Sequence, residues 1–325
     1  MRVLVTGATS LLGGAVATAL ARRGDQVRVL QRRSAGLVGV DERRGDITDA
    51  PAVRAAVAAT DAVIHLAAKV SITGRWSDFQ HANVDGTTRL AEAAQAAGVR
   101  RFVQVSSPSV AHRGAALVGV GADPADPQRA RGHYARSKAI AELAVLAADR
   151  PGFAVVAIRP HLVWGPGDTQ LVARIVERAR SGRLALIGPG AALIDTTYLS
   201  NAADALVAAL DRAEHPAVHG RAFVVSNGEP RTVSELVERI CQATGVAPPK
   251  LRVPVAVAVA GGVLAERVWP LLRRTDEPPM TRFLAEQLST AHWFDQRDVR
   301  QALDWSPQVS LADGFTRLAA ANRPA

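Results

Sequence analysis

Cysteine is nearly absent from this 325-residue chain. Cys241 stands alone, so no internal disulfide can form and no cysteine cluster can hold a metal. It falls inside the amphipathic stretch SELVERICQATG and reads as a packed core residue. Aromatic residues amount to 4% of the chain, although the formal net charge is +9. Of the 39 Lys and Arg residues only Lys69, Lys138 and Lys250 are lysine. The arginines are spread along predicted helices rather than gathered in runs, aromatic residues are not interleaved with them, and no nucleic-acid motif is present. Nucleic-acid binding is therefore not expected. Nor is there an apolar run long enough to cross a bilayer. The stretch from Val253 to Leu272 has an uninterrupted core of about a dozen residues, against roughly 20 needed, and Gly261, Gly262, Glu266 and Arg267 interrupt it. A helix lining a greasy pocket is the favoured setting for this stretch; a weak contact with a membrane surface is the other. The chain opens on a strand, with no basic segment followed by an apolar one, and a cytoplasmic location is expected. No metal site is read from the histidines. Internal repeats and low-complexity tracts are absent, and the sequence leaves the oligomeric state open, a homodimer included.

What is present suffices for a large core, since 48% of residues are hydrophobic. MRVLVTGATSLLGGAVATALARRG reads as a buried strand from Arg2 to Thr6, a glycine turn, and a helix from about Leu12 to Arg23. Strand, glycine turn and helix in that order open a dinucleotide-binding fold, with a pyrophosphate against the helix N-terminus. DAVIHLAA (61–68) and RFVQV (101–105) read as further strands. Up to about residue 165, strands and helices alternate with short connections, as in a parallel sheet covered on both faces. Beyond it the elements are mixed: helices in DTQLVARIVERARSG, NAADALVAALDRA and SELVERICQATG, and strands in LALIG, AALIDTTYLS and RAFVVSN. Ser200 or Asn201 is the expected cap of the second of these helices, and RAFVVSN the strand that rejoins the main sheet. The expected fold is α/β: a doubly wound Rossmann-type parallel sheet over 1–165, joined by a returning segment at about 191–226, with a smaller C-terminal substrate lobe within 166–325.

HYARSKAIAE places Tyr134 four residues before Lys138. On a helix such residues share a face. An ammonium beside a phenol stabilises phenolate and lowers the tyrosine pKa from about 10, which would let Tyr134 exchange a proton with a substrate oxygen. At the end of the second strand, DQVRVLQRRSAG, the carboxylate that would favour NAD is missing. Gln31 stands there, followed by Arg32 and Arg33. A guanidinium suits a 2′-phosphate by charge and by bidentate geometry, so NADP(H) is expected, with Arg32 as its contact.

In these segments the chain resembles the extended branch of the short-chain dehydrogenase/reductase superfamily. That branch has a T-G-x-x-G-x-x-G turn; Thr6, Gly7 and Gly13 match it and Ser10 replaces the middle glycine. A Cβ at that point would crowd a phosphate, although a serine hydroxyl can also hydrogen-bond one. The resemblance implies Ser107, Tyr134 and Lys138 as catalytic residues, with Ser107 polarising the substrate oxygen. It implies cofactor contacts at Gly7, Ser10, Leu11, Leu12 and Gly13 in the turn, and at Asp46 and Ile47 beside the adenine. Further contacts are implied at Leu66, Ala67, Lys69, Asn83 (in N-x-x-G-T), Ser106, Tyr134 and Lys138, and at Pro160 and Val163 in IRPHLVWGPGD. The 107–134 loop, apolar at its start, is expected to fold over the substrate.

Within that branch the chain is most similar to the 3β-hydroxysteroid dehydrogenase-like group, and more narrowly to the 2-alkyl-3-oxoalkanoate reductases of long-chain olefin biosynthesis. The segments that carry this similarity are SSPSVAHR, HYARSKAIAELAVLAA, IRPHLVWGPGD, VVSNGEP and WPLLRRTDEPPMTRFLAEQLSTAHWF. The resemblance implies an NADPH-dependent reductase acting on a hydrophobic 2-alkyl-3-oxoacid. A steroid or sterol dehydrogenase is the alternative enzyme. A non-catalytic NADP-binding regulator is the alternative of another class, and the Tyr134/Lys138 pair counts against it.

Overall fold

The computed structural model describes residues 1–71, 73–112, 114–271 and 280–322. Arg113, Leu272 and part of the 269–294 segment singled out above lie outside them. The chain begins with β1 (Arg2–Thr6) and α1 (Leu11–Arg22), within a residue of the expected bounds. Every β1 residue after Arg2 is buried, as in a strand covered on both faces. α1 buries Gly13, Val16, Ala17 and Leu20, one stripe at helical spacing. β2 (Gln26–Gln31), β3 (Val40–Arg44), α2 (Ala50–Val57) and β4 (Ala62–His65) follow. A short α3 (Trp76–Phe79) passes through a π-helical turn at Gln80–Asp85 into α4 (Gly86–Ala96). Next come β5 (Arg101–Val105), β6 (Leu117–Val120), α5 (Gly132–Leu146), β7 (Ala154–Pro160) and β8 (Val163–Trp164).

The second half holds α6 (Val172–Arg180), β9 (Ala185–Ile187), β10 (Leu193–Ile194), β11 (Thr197–Tyr198), α7 (Leu199–Arg212) and β12 (Arg221–Val225). After them come β13 (Arg231–Thr232), α8 (Val233–Thr244), β14 (Leu251–Val253), α9 (Val255–Leu271) and α10 (Arg282–Ser289). β15 (His292–Phe294), α11 (Arg297–Leu303) and α12 (Leu311–Ala321) complete the chain.

Seven strands form one parallel sheet in the order β3-β2-β1-β4-β5-β7-β12. The predicted doubly wound Rossmann sheet is therefore present, and β12 is the strand that rejoins it. One core joins the sheet to α1, α7 and α11 through residues such as Val16, Leu20, Leu206 and Leu303. The core on the opposite face joins it to α2, α4 and α5 through Val53, Leu90 and Val145. Sheet growth reverses between β1 and β4, and ligands bind such sheets at this switch point, beyond the strand C-termini.

AALIDTTYLS is not one strand. It divides into β10 and β11, in separate sheets, because the Asp195 between them is buried and draws bonds from the Ser226 hydroxyl (2.7 Å) and the Gly228 amide (3.0 Å). α7 begins at Leu199, so neither Ser200 nor Asn201 caps it. The Asn201 amide instead donates to Asn227 Oδ1 (3.0 Å) and to the Val309 carbonyl (2.7 Å), tying α7 to the C-terminal segment.

The 107–134 loop is less free than a lid. Its β6 pairs in parallel with β15, Leu117 opposite His292, inside the lobe sheet β13-β10-β15-β6. In α9, Ala258 packs with Ala285 and Ile187, and a Cβ on Gly262 would meet the Thr281 carbonyl carbon at 2.5 Å. Val257 (59% exposed) and Leu264 (62%) face outward. Among the described residues no helix is long and apolar enough to cross a membrane.

At the end of β4, His65 is fully buried between two hydroxyls, its Nδ1 2.6 Å from Thr6 Oγ1 and its Nε2 2.9 Å from Thr87 Oγ1. Burial first, and the Lys138 charge second, push its pKa down to about 3 from 6.5. Between those two values the unfolded chain binds a proton that the folded chain refuses. This penalty is absent above about pH 6.5 and grows as pH falls toward 3, by up to about 1.4 kcal/mol per pH unit. Denaturant unfolding at pH 7 and pH 5 should show a smaller loss of stability in His65→Gln than in the wild type. Equal losses would mean that His65 does not resist protonation.

Candidate active site at the sheet switch point

The turn after β1 explains which glycines are needed. Gly7 has φ +76°, and a Cβ there would stand 2.8 Å from the Ala67 amide nitrogen. A Cβ on Gly13 would stand 2.3 Å from the Gly7 carbonyl oxygen. Ser10 has an ordinary extended backbone, φ −79° and ψ 156°, so nothing in the turn requires glycine at that position. Its hydroxyl donates to the Gly7 carbonyl (2.8 Å) and accepts from the Gly13 amide (3.1 Å). Ser10 is thus the N-cap of α1, and its hydroxyl is committed inside the turn rather than held out as a phosphate ligand. The Leu11 and Leu12 amides lie in the first turn of α1, where helix N–H groups lack intrahelical acceptors. This cradle, which a side chain at 7 or 13 would fill, suits a dinucleotide pyrophosphate.

Across the switch point, the Leu66 amide donates to the Thr6 carbonyl (3.3 Å) and the Ala67 amide to Thr6 Oγ1 (3.1 Å). Both residues therefore border Gly7. Asn83 sits in the π-helical turn, a distortion common at functional sites. It accepts from the Lys69 amide (2.6 Å) and donates to the Lys69 carbonyl (3.1 Å) and to Ser137 Oγ (2.9 Å), binding the strand end to α5. Pro160 ends β7 and Val163 starts β8, and between them Leu162 holds φ +44°, a strained value for a residue with a side chain. The loop beyond β8 returns to the turn, where a Cβ on Gly167 would lie 3.5 Å from Leu11 Cδ1.

Tyr134, Lys138 and Glu142 form one stripe of α5, each a turn further along. Tyr134 is half-buried, Lys138 and Glu142 fully buried. Lys138 Nζ donates to the Val105 carbonyl at the end of β5 (2.5 Å). Burial lowers its pKa to about 8, and Glu142 works in the opposite direction. Tyr134 departs from expectation. Burial raises its phenol to about 12, a hydrogen bond with Ser107 pulls the other way, and Lys138 contributes no lowering. The protein by itself therefore holds Tyr134 as a protonated phenol beside the Ser107 hydroxyl. Ser107 Oγ also lies 2.9 Å from Ser109 Oγ. The Ser106 amide donates to the Ile158 carbonyl (2.7 Å), and its buried hydroxyl has no partner among the described residues.

At the adenosine end, Arg32 is exposed (80%) and its Nε is 3.8 Å from Asp46 Oδ2. Asp46 Oδ1 accepts from the Thr48 amide and hydroxyl (3.0 and 2.9 Å). The Ile47 side chain is buried against Gly86, where an added Cβ would meet it at 2.9 Å, so only its backbone faces outward. Gln31 is buried and its amide donates to Glu42 (3.2 Å). Lys69 lies over the Phe79 ring and 3.6 Å from Asp78.

Sequence reasoning missed two groups. Arg159, buried at the end of β7, donates from Nε to Glu142 Oε2 (2.9 Å) and from Nη2 to Oε1 (2.5 Å), and from Nη1 to the Asp123 carbonyl (2.7 Å). Glu142 at i+4 from Lys138, with an arginine interrupting an apolar strand, was the available signal. The second group is the buried trio His112, His161 and His292, with His112 Nε2 3.1 Å from His292 Nε2. Its members are far apart in sequence, so no local spacing reveals them. His215 and His219 do stand four apart, but His219 pairs with Asp149 (2.9 Å) and His215 accepts from the Ala217 amide (3.1 Å). Among the described residues no three His, Cys, Asp or Glu groups are placed to hold a metal.

Residues 3–226 match the NAD dependent epimerase/dehydratase family. The chain belongs to that family. Within its extended short-chain dehydrogenase/reductase setting it is 44% identical to a 2-alkyl-3-oxoalkanoate reductase of Stenotrophomonas maltophilia (strain K279a), across 99% of each chain. It is 33% identical to a 3 beta-hydroxysteroid dehydrogenase/Delta 5-->4-isomerase of Mycobacterium tuberculosis (strain CDC 1551 / Oshkosh), over 78% of this chain and 72% of that one. Among solved structures, MoeE5 in complex with UDP-glucose and NAD superposes with a TM-score of 0.78 at 24% identity, over 99% of both chains, and so shares the fold.

In this family member the Glu142–Arg159 pair is one of the contacts that fix α5 to the sheet, and the one that buries two charges. Removing one partner strands a buried charge, so Glu142→Gln or Arg159→Met alone should cost about 3–5 kcal/mol in denaturant unfolding. The double variant Glu142→Leu/Arg159→Met, with neither charge, should cost less than either single change. Single variants as stable as the wild type would show that the pair does not hold the helix.

Proposed function

We propose that this oxidoreductase reduces the ketone of a long-chain 2-alkyl-3-oxoacid to the 3-hydroxyacid, using NADPH. One observation carries the chemistry: a Tyr134 phenol kept protonated beside Ser107, on the helix whose Lys138 reaches the C-terminal end of β5. When bound, the nicotinamide supplies the hydride. The chain's own residues do the rest. Ser107 polarises and orients the ketone oxygen. Tyr134, held near 12, gives up its proton only to a strong base, which the oxygen becomes as the carbonyl is reduced. Lys138, one turn further along α5 and with its charge supported by Glu142, would hold the nicotinamide ribose by hydrogen bonding.

The substrate class draws support from the full-length similarity to the Stenotrophomonas reductase. The apolar lobe from about Asp168 to Gly190 and Pro230 to Phe294 would house the chains. Similarity to the mycobacterial steroid enzyme favours a second reading, a 3β-hydroxysteroid dehydrogenase. NADPH is supported by Arg32, which is held by one loose ion pair, and by Gln31, which turns its amide to Glu42. A single buried thiol and NADPH as reductant both suit a reducing, cytoplasmic compartment.

Oxidation of NADPH with 2-alkyl-3-oxoacids of graded length, beside a panel of 3-oxosteroids, separates the two readings. KM should fall about fourfold per added methylene, following roughly 0.8 kcal/mol each, and then level off. Tyr134→Phe should reduce kcat by roughly 10²- to 10⁴-fold. A flat length profile with brisk steroid turnover would reverse the order of the two readings, and near wild-type turnover by Tyr134→Phe would remove it from the mechanism.

Cofactor selectivity is a separate matter. Arg32→Ala should raise KM for NADPH by about ten- to a hundredfold, the worth of a charge-assisted hydrogen bond, and leave KM for NADH unchanged. Equal wild-type efficiency with both cofactors would refute the assignment of Arg32.

A further inference from the structure

Resting on the reading above, we propose that Arg131 anchors the carboxylate of the oxoacid substrate. A 3-oxoacid carries its carboxylate two carbons from the ketone. The group that receives it must therefore lie near the residues that receive the ketone oxygen, and Arg131 is the N-cap residue of α5, three positions before Tyr134. Its side chain crosses to the loop that leaves Ser107, where Nη2 lies 2.8 Å from the place a Cβ would occupy on Gly114. Gly114, with φ +86°, is the residue that lets the guanidinium approach the backbone so closely.

The surroundings are polar and only partly paired. His112 is 1% exposed; burial chiefly lowers its pKa, Glu286 and the Ala115 backbone oppose this, and the Arg131 charge adds to the lowering. The Glu286 carboxylate beside it accepts from Arg282 Nε at Oε1 (2.7 Å), while its buried Oε2 has no partner among the described residues. Neighbouring arginines have partners: Arg129 lies 3.9 Å from Asp126, Arg136 lies over the Trp76 ring, and Arg159 is bound to Glu142. Half-buried Arg131 has neither a carboxylate nor a hydrogen-bond acceptor among the described residues. A guanidinium partly withdrawn from water and left without an anion favours a planar, bidentate carboxylate. A steroid has no such group, so Arg131 would also separate acidic acyclic substrates from neutral fused-ring ones.

The test uses a 2-alkyl-3-hydroxyacid, oxidised with NADP⁺, beside the secondary alcohol with the same chains and no carboxyl group. Arg131→Gln should raise KM for the acid by about ten- to a hundredfold, with kcat and the alcohol's KM held within about twofold, and Arg131→Lys should recover part of the loss. An unchanged KM for the acid, or parallel losses on acid and alcohol, would overturn the assignment. Failure of the ketone-reductase reading would appear separately, as no turnover of either compound by the wild type. Calorimetric titration of the hydroxyacid into wild type and Arg131→Gln would then decide Arg131 by itself, equal affinities overturning it.

Discussion

The site is organised by one desolvated contact, the ion pair between Glu142 on α5 and Arg159 on β7, both 1% exposed. Two charges taken out of water need each other's full geometry, so the pair tolerates little rotation of α5 about its axis. That rotation is what aims Lys138 at the Val105 carbonyl and Tyr134 at Ser107. The same carboxylate supports the Lys138 charge, which desolvation would otherwise weaken. Position and protonation at the reacting end of the helix are therefore set by a contact one to two turns deeper in the fold.

Local chemistry was legible in the sequence and long-range chemistry was not. β1, the turn and α1 could be read almost to the residue, because burial on both strand faces, glycine sterics and a helical stripe are all short-range patterns. The helix bearing Tyr134 and Lys138 was legible for the same reason. The role of Ser10 was not, since a residue that caps a helix and one that ligates a phosphate look alike until the backbone angles are known. The start of α7 was misread because Asn201 satisfies a segment a hundred residues away rather than its own helix end. The Tyr134 pKa was misjudged because spacing reports the lysine's direction and not the depth of burial. The histidine trio assembles from three separate elements, which no window of sequence can contain.

The basic composition finds a plain use in the fold. Arg23 bonds Asp211 across α1 and α7, Arg100 and Arg101 share Glu214, and Arg221 meets Asp298. Each of these joins elements distant in sequence at the protein surface, where planar guanidinium groups can fork onto carboxylates. These arginines act as stitching between layers. The two proposed to meet ligands, Arg32 and Arg131, are among those the fold leaves loosely held or without a partner among the described residues.

The parallel pairing of β6 with β15 has a mechanical consequence. A loop that carries the Ser107 side of the site and is also a strand of the C-terminal lobe cannot peel away by itself without breaking sheet hydrogen bonds. Any displacement of that loop would then carry β15 with it, pivoting where the 106–112 segment leaves the main sheet. Displacement of β15 and displacement of the segment that bears Ser107 are therefore mechanically linked.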